Sequence, residues 1–420
     1  MNSYEHSVSL DLTRCTGCTA CLKHCPTEAI RIKDGHAQIN PDRCIDCGIC
    51  IKICPSKAKK ATYSRLDKVL KRKYKIALPA PSLYGQFEDL DDVDFILQGL
   101  KNIGFDDVFE VSKAAELVSA YTRLYLKTEG IPKPVINSAC PVVLRLISLR
   151  YPTLKEHIMQ LLPPMEIAAR LARERAMKEH PELSREDICI CFISPCPAKV
   201  SYVRNGFGDY KSEVDEVLSI SDVYFNLINV MRRQHQPDQL SESGVIGISW
   251  ATTGGEASAL FNDKYLAADG IDNVNRVLEQ LDNGNISGLE FVELNACPGG
   301  CVGGVLTVQN PFIARARLHI LRRYMPVSRN VLPADEQYIP AEYFFEEMPA
   351  YQPISRLSNN IAKSMRMMAD IQSLRAQLPG LDCGACGAPT CRAFAEDVVR
   401  GTATVDDCLV CRVLPKEESE

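Results

Sequence analysis

The chain lacks the marks of export and of membrane insertion. Its opening, MNSYEHSVSLDL, has neither a charged n-region nor an apolar h-region, and no later segment reaches the roughly 18 apolar residues of a membrane span. No membrane partner is expected, and the expected location is the cytoplasm. There is no glycine-rich dinucleotide loop or P-loop, so NAD, flavin and ATP are not implied. Positive charge is not in excess: 48 Lys and Arg against 53 Asp and Glu leave a net charge of -5, which argues against a nucleic-acid partner. What remains is an ordinary globular composition, 46% hydrophobic and 24% charged over 420 residues, enough for two or three domains. Cysteine, by contrast, is plentiful. Nineteen residues fall into N-terminal, middle and C-terminal groups with tight local spacing. Disulfides belong to oxidising compartments, so metal is the default reading of these thiols.

Residues 15–26 read CTGCTACLKHCP and residues 44–55 read CIDCGICIKICP, each a C-x2-C-x2-C-x3-C-P run, so this region is an internal duplication. Three thiolates at such intervals wrap one cubane, while the fourth reaches the other cluster. Cys15, Cys18, Cys21 and Cys54 are thus expected to hold one 4Fe-4S cluster, and Cys44, Cys47, Cys50 and Cys25 a second. Zinc sites gather two spaced C-x2-C pairs around one ion, which is a different pattern. Pro26 and Pro55 stop the helical turns after the last ligands. His24 lies inside the first run, but cysteines fill the ligand places and an exposed histidine is expected. Between the runs, AIRIKDGHAQIN predicts a hairpin turning at Asp34-Gly35. Residues 1–62 therefore resemble a two-cluster ferredoxin domain of α+β type. The basic stretch that follows, KAKKATYSRLDKVLKRKYK, reads as a solvated connecting helix with an acidic neighbour.

From about residue 75, short apolar runs (KIALPAP, KPVINSACP, DICICFISPCP, SGVIGISW, LEFVELNACP) alternate with helical stretches. That alternation predicts parallel sheets covered by helices, whose ligand sites lie beyond the carboxyl ends of the strands. Three sites share a Cys-Pro step, at Cys140, Cys196 and Cys297. In the last, Cys297 and Cys301 flank Pro-Gly-Gly and precede Val-Gly-Gly, a turn whose backbone can approach a bulky inorganic group. Cys140 and Cys196 read equally as ligands or core thiols, and Cys189 and Cys191, alternating in an apolar strand, read as core.

In this order the three sites resemble the H-cluster signatures of the iron-iron hydrogenases. Glu293, Cys297, Cys301, Gly303 and Gly304 match the third signature closely, and Cys196 with Lys199 match the second. Similarity also runs through DVFEVSKAAEL, DVDEVLSISDV and ISWATTGGEASAL, so it covers roughly residues 75–325. The resemblance implies a two-lobed α/β parallel-sheet H-cluster domain over residues 75–350. In it, Cys140, Cys196, Cys297 and Cys301 would hold a 4Fe-4S cubane. Cys301 would bridge to a diiron unit carrying carbonyl, cyanide and azadithiolate ligands, and Lys199 would donate a hydrogen bond to a cyanide. Cys301 and Lys199 would be the catalytic pair, and hydrogenase maturation proteins would install the diiron unit.

The chain also departs from that pattern. Ala139 stands where the family has a proton-relay cysteine, and alanine cannot carry a proton. Ser194 and Asn295 stand where two methionines border the diiron site, which would make the pocket more polar. These losses resemble the sensory branch of the family, in which slow turnover serves signalling. They imply a hydrogen sensor of low activity that exchanges electrons with a ferredoxin or another redox protein and signals to a kinase, phosphatase or regulator. The alternatives are a competent hydrogenase with another proton path, and a non-enzymatic hydrogenase-like protein without a diiron site.

Residues 351–415 begin with an amphipathic helix through Leu357, Ile361, Met365 and Met368, expected to pack on the body or to form a partner seam. The C-x2-C-x4-C pattern of Cys383, Cys386 and Cys391, with Cys408 further on, resembles the small helical 4Fe-4S domain of certain electron-transfer subunits. A closed four-cysteine zinc site is the rival, and Cys411 is spare or exchanges with Cys408.

Overall fold

Four of the five apolar runs of the middle region form parallel strands, as their composition predicts, whereas SGVIGISW holds the short helix Val245–Ser249 instead. The computed structural model describes residues 4–206, 208, 210–233, 236–333, 335–345 and 357–413. The expected boundary at residues 350 and 351, and the last residues of the C-terminal module, 414 and 415, lie outside these. The chain divides into two units, one made of Met1–Ala61 with Gln352–Glu420 and the other of Thr62–Tyr351. The first and last modules, at opposite ends of the sequence, thus share one unit.

In that unit, β1 (Val8–Leu10) pairs antiparallel with a later strand, β4 (Lys59–Ala61), and β2 (Ile30–Lys33) pairs with β3 (His36–Ile39) as the expected hairpin. The four-residue helices Ala20–Lys23 and Ile49–Lys52 each carry the third cysteine of a run. Cys21, Leu22, Ile30 and Ala37 form a small core. His24 is exposed. The lysine-rich stretch is not one solvated helix. Its first part is β4, which satisfies the backbone of β1, and helix is confined to Leu66–Val69. Lys59 is only 2% exposed.

The C-terminal part packs a helix, Ile361–Gln377, against another, Cys391–Val399. The buried face is not the one that the sequence pattern suggests. Ile371 and Leu378 are buried and Leu374 and Leu357 pack beside them, while Ile361 and Met365 are 80% and 70% exposed. The face that meets the module's core lies toward the helix's end, next to Phe394 and Cys408.

The second unit holds two sheets. The strands β5 (Tyr74–Pro79), β6 (Asp107–Val108), β8 (Ile188–Ser194) and β9 (Glu216–Ser219) lie in the order β6-β5-β8-β9, all parallel. A three-stranded parallel sheet has the order β10 (Tyr265–Asp269), β11 (Phe291–Asn295), β7 (Val135–Ile136). Every residue of β8 is buried, Cys189 and Cys191 included, as a central parallel strand covered on both faces requires. Three strands end just before a cysteine: β7 before Cys140, β8 before Cys196 and β11 before Cys297. Among the described residues, no helix is long and apolar enough to cross a membrane.

Candidate metal centres

In the first unit the two cysteine runs exchange their last members. Cys15, Cys18, Cys21 and Cys54 line one cavity, and Cys25, Cys44, Cys47 and Cys50 line another. The duplication extends to the backbone: the Ala29 N–H donates to Cys25 Sγ at 3.2 Å, and the Ala58 N–H donates to Cys54 Sγ at 3.2 Å. Burial pushes the Cys44 and Cys47 thiols well up and that of Cys50 to about 12, and neighbouring cysteines add to the effect. Crowded buried sulfurs of this kind suit a shared cationic core of iron. Lys59 lines the first cavity with its ammonium buried and, among the described residues, without a hydrogen-bond partner. A buried cation is costly unless an anion compensates it, and a thiolate-bound cluster carries that charge. Lys59 already lowers the Cys21 and Cys50 thiols against the effect of burial. Its signal in the sequence is the duplication itself, since Ile30 holds the same place after the first run.

Cys383, Cys386, Cys391 and Cys408 line a third cavity in the C-terminal module, and Cys411 is not on its wall. Cys391 opens the helix Cys391–Val399, which the Thr390 hydroxyl caps by accepting from the Ala393 N–H. The Cys391 N–H donates to Asp382 at 2.6 Å.

In the second unit a cavity is walled by Ala139, Lys199, Asn295 and Cys301, together with the Ala80-Pro81-Ser82 segment after β5. Lys199 comes from the helix Pro197–Asn205, just past Cys196 at its N-cap. Its ammonium donates to the Ala139 carbonyl at 3.2 Å and lies 5.7 Å from the centre of the Phe192 ring. Cys301 follows a turn that demands glycine: Gly300 has φ +90°, and a Cβ there would sit 2.6 Å from the Thr253 nitrogen. Burial pushes the Cys301 thiol up to about 12. Lys199 opposes that rise, and Cys196 and Cys140 reinforce it, so these three cysteines lie within electrostatic reach of one another. Cys297 sits in the same turn, its carbonyl accepting from the Gly300 N–H. Of the four, only Cys301 is on the cavity wall.

Ser194 is not on that wall. Its hydroxyl accepts from the Cys196 N–H and donates to the Cys196 carbonyl, so the cavity is less polar there than the sequence suggests. Met165, from the start of Pro164–Glu179, lines the cavity instead.

The residue that sequence reasoning missed is Glu256, on the cavity wall and 3% exposed. Asn137 donates to its Oε2 at 2.9 Å, and its Oε1 has no partner among the described residues. Burial, then neighbouring Glu293, push its carboxyl well above the usual range, against the pull of Asn137 and Lys199. Glu293, equally buried, is the better hydrogen-bonded of the two, accepting from the Gly254 N–H, the Ala257 N–H and Asn295. The one signal for Glu256 was its place in TTGGEAS, within a segment matched only as a whole.

Three cradles of four cysteines and a two-lobed parallel-sheet domain with cysteines at its strand ends define an iron-sulfur protein. Residues 73–305, more than half of the chain, match the family model for the C-terminal domain of the iron only hydrogenase large subunit, and the chain belongs to that family. Residues 7–55 match a 4Fe-4S dicluster domain, and residues 378–410 match an Fe-S cluster model. Among solved structures, the chain is similar to one described as showing stepwise FeFe-hydrogenase H-cluster assembly, with 17% identity, 62% of this chain and 86% of that one covered, and a TM-score of 0.48. A variant of the FeFe-hydrogenase HydA1 from Chlamydomonas reinhardtii compares at 16% identity, with the same coverage and TM-score. A curated relative, one of the subunits of the Na(+)-translocating ferredoxin:NAD(+) oxidoreductase complex of Acetobacterium woodii, is 51% identical over 37 residues. That stretch is 9% of this chain, and the chain spans only 11% of the relative's length.

Proposed function

We propose that the chain is a hydrogen-sensing iron-iron hydrogenase of low turnover. Residues 1–62 and 351–415 would carry electrons for a hydrogen site in residues 75–350. In this reading the two N-terminal cradles and the C-terminal one hold 4Fe-4S clusters, and Cys140, Cys196, Cys297 and Cys301 hold another. Cys301 would also help to hold a diiron unit carrying carbonyl, cyanide and azadithiolate ligands. When bound, that unit supplies the centre at which hydrogen is split into protons and electrons. The chain's own residues orient it: Lys199 offers a charge-assisted donor to an anionic ligand, and the buried wall keeps water out.

The observation that carries the sensing part is Ala139 on the cavity wall, beside Lys199. A positioned general acid contributes roughly a hundred- to ten-thousand-fold in rate, so the loss of a relay thiol at Ala139 suits occupancy by hydrogen better than flux. A ferredoxin or another redox protein would exchange the electrons, and a kinase, phosphatase or regulator would read the state. A second reading, full turnover through another proton path, is favoured by Glu256, a buried acid on the same wall. Infrared spectroscopy of protein made together with the maturation proteins tests the shared chemistry. Carbonyl and cyanide bands are expected, and their absence would remove the diiron site and the hydrogen chemistry together. Hydrogen-uptake rates close to those of efficient hydrogenases would then sink the sensing part.

The first cradle gives a separate expectation. Lys59→Ile, which copies the residue at the matching place in the first repeat, should lower the reduction potential of the N-terminal clusters. The expected shift is on the order of tens of millivolts, since about 1.4 kcal/mol equals 59 mV for one electron. A redox titration followed by electron paramagnetic resonance reads it, and unchanged potentials would show that the Lys59 charge does not act on the clusters.

A further inference from the structure

The C-terminal module is seated on the ferredoxin-like module through contacts around both of its cradles, and those of Gly387 and Gly384, which flank Cys386, fall beside one of them. The Ile32 N–H donates to the Gly387 carbonyl at 2.9 Å. Ile32 lines the Cys15, Cys18, Cys21 and Cys54 cavity, and Gly387 directly follows Cys386 of the C-terminal cradle. Gly387 has φ +82°, and a Cβ on it would collide with the Ile32 carbonyl, so glycine is what permits this approach. On the other side of Cys386, a Cβ on Gly384 would meet Leu22 at 3.2 Å, and Leu22 directly follows Cys21. The Lys23 ammonium donates to the Asp382 carbonyl and, at 3.1 Å, to the Pro389 carbonyl.

Two ion pairs hold the seat. Arg31 meets Asp397 through two bonds, of 2.5 and 3.2 Å, and Arg43 meets Glu396 at 2.5 Å. The side chains of both pairs are 10% to 17% exposed, so water screens them less than surface pairs. The outer lip of the C-terminal cradle remains open, with Cys383 exposed.

We infer that the C-terminal module is the electron port of the ferredoxin-like module and serves the Cys15, Cys18, Cys21 and Cys54 cradle in particular. One electron passes between the groups held in the two cradles, reducing one as the other is oxidised. No bond is made or broken and no proton moves. An external one-electron carrier protein, meeting the module on the side of Cys383, supplies or removes that electron.

The inference rests on the iron-sulfur part of the proposed function and not on its hydrogen chemistry. It is therefore tested on the full chain made without maturation proteins and reduced in stages. The magnetic signal of the C-terminal group should be split or broadened by that of the Cys15, Cys18, Cys21 and Cys54 group. Arg31→Glu should remove this interaction while both signals persist, and Arg31→Glu with Asp397→Arg should bring it back. Zinc in the C-terminal cradle would overturn the inference, as would undisturbed separate signals in the unaltered chain. An interaction confined to the Cys25, Cys44, Cys47 and Cys50 group would do the same. Any of these results could coexist with carbonyl and cyanide bands, so the hydrogen reading would stand or fall separately.

Discussion

Cys301→Ala should abolish the carbonyl and cyanide bands and hydrogen turnover together, while the signals of the ferredoxin-like clusters persist. Cys301 is the one member of its set of four on the wall of the Lys199 cavity, and it lies within electrostatic reach of Cys196 and Cys140. It is therefore the thiol able to face two inorganic groups. Lys199→Ala gives the scale for comparison. It removes a donor that holds the group from outside its bonded ligands, and such partners are commonly worth about 10- to 100-fold in affinity or activity. A graded loss at Lys199 and a complete one at Cys301, read by infrared bands per mole of protein, would separate an orienting residue from a bridging one. Bands retained in Cys301→Ala would overturn the assignment of the bridge.

The cysteine centres were legible because ligand spacing is local. A C-x2-C-x2-C run places three thiols on one turn whatever the rest of the chain does, and a Cys-Pro step after an apolar strand marks the strand's end. The parallel sheets were legible for a similar reason: β8 is apolar up to its last residue, Ser194, because both of its faces are covered. Lys59 was misread because its burial comes from pairing with β1, a contact made across half a hundred residues, and lysine's propensity carries no sign of it. The seating of the last module on the first was also invisible. Nothing in the spacing of the sequence links Arg31 to Asp397, and only the fold brings them together. Ser194 looked like part of the pocket from its place before Cys196, but its hydroxyl turns back to the backbone of that residue.

Glu256 was hidden for the same kind of reason, since its partners come from other strands, and it carries the second large expectation. The Asn137 side-chain Oδ1 accepts from the Leu294 N–H at 2.9 Å, which leaves the Asn137 Nδ2 to donate to Glu256 Oε2. The proton of the neutral acid then belongs on Oε1, the oxygen without a partner among the described residues. Burial raises the Glu293 carboxyl as well, to about 7, but its three donors make it the first of the pair to ionise, and its charge then keeps the proton on Glu256. A neutral acid on the wall next to Lys199 and Ala139 is placed to exchange a proton that Ala139 cannot carry. Glu256→Gln keeps the shape and the Asn137 contact but cannot exchange a proton. Turnover should fall by roughly a hundred- to ten-thousand-fold with the infrared bands unchanged, and Ala139→Cys in that background should recover part of it. The pH dependence has a definite sign. Burial raises the carboxyl in the folded chain, so its contribution to stability is present at low pH and is lost as pH rises through the raised value. Glu256→Gln should flatten that alkaline decline in thermal denaturation. A variant with the bands intact and turnover unchanged would exclude Glu256 from the proton path.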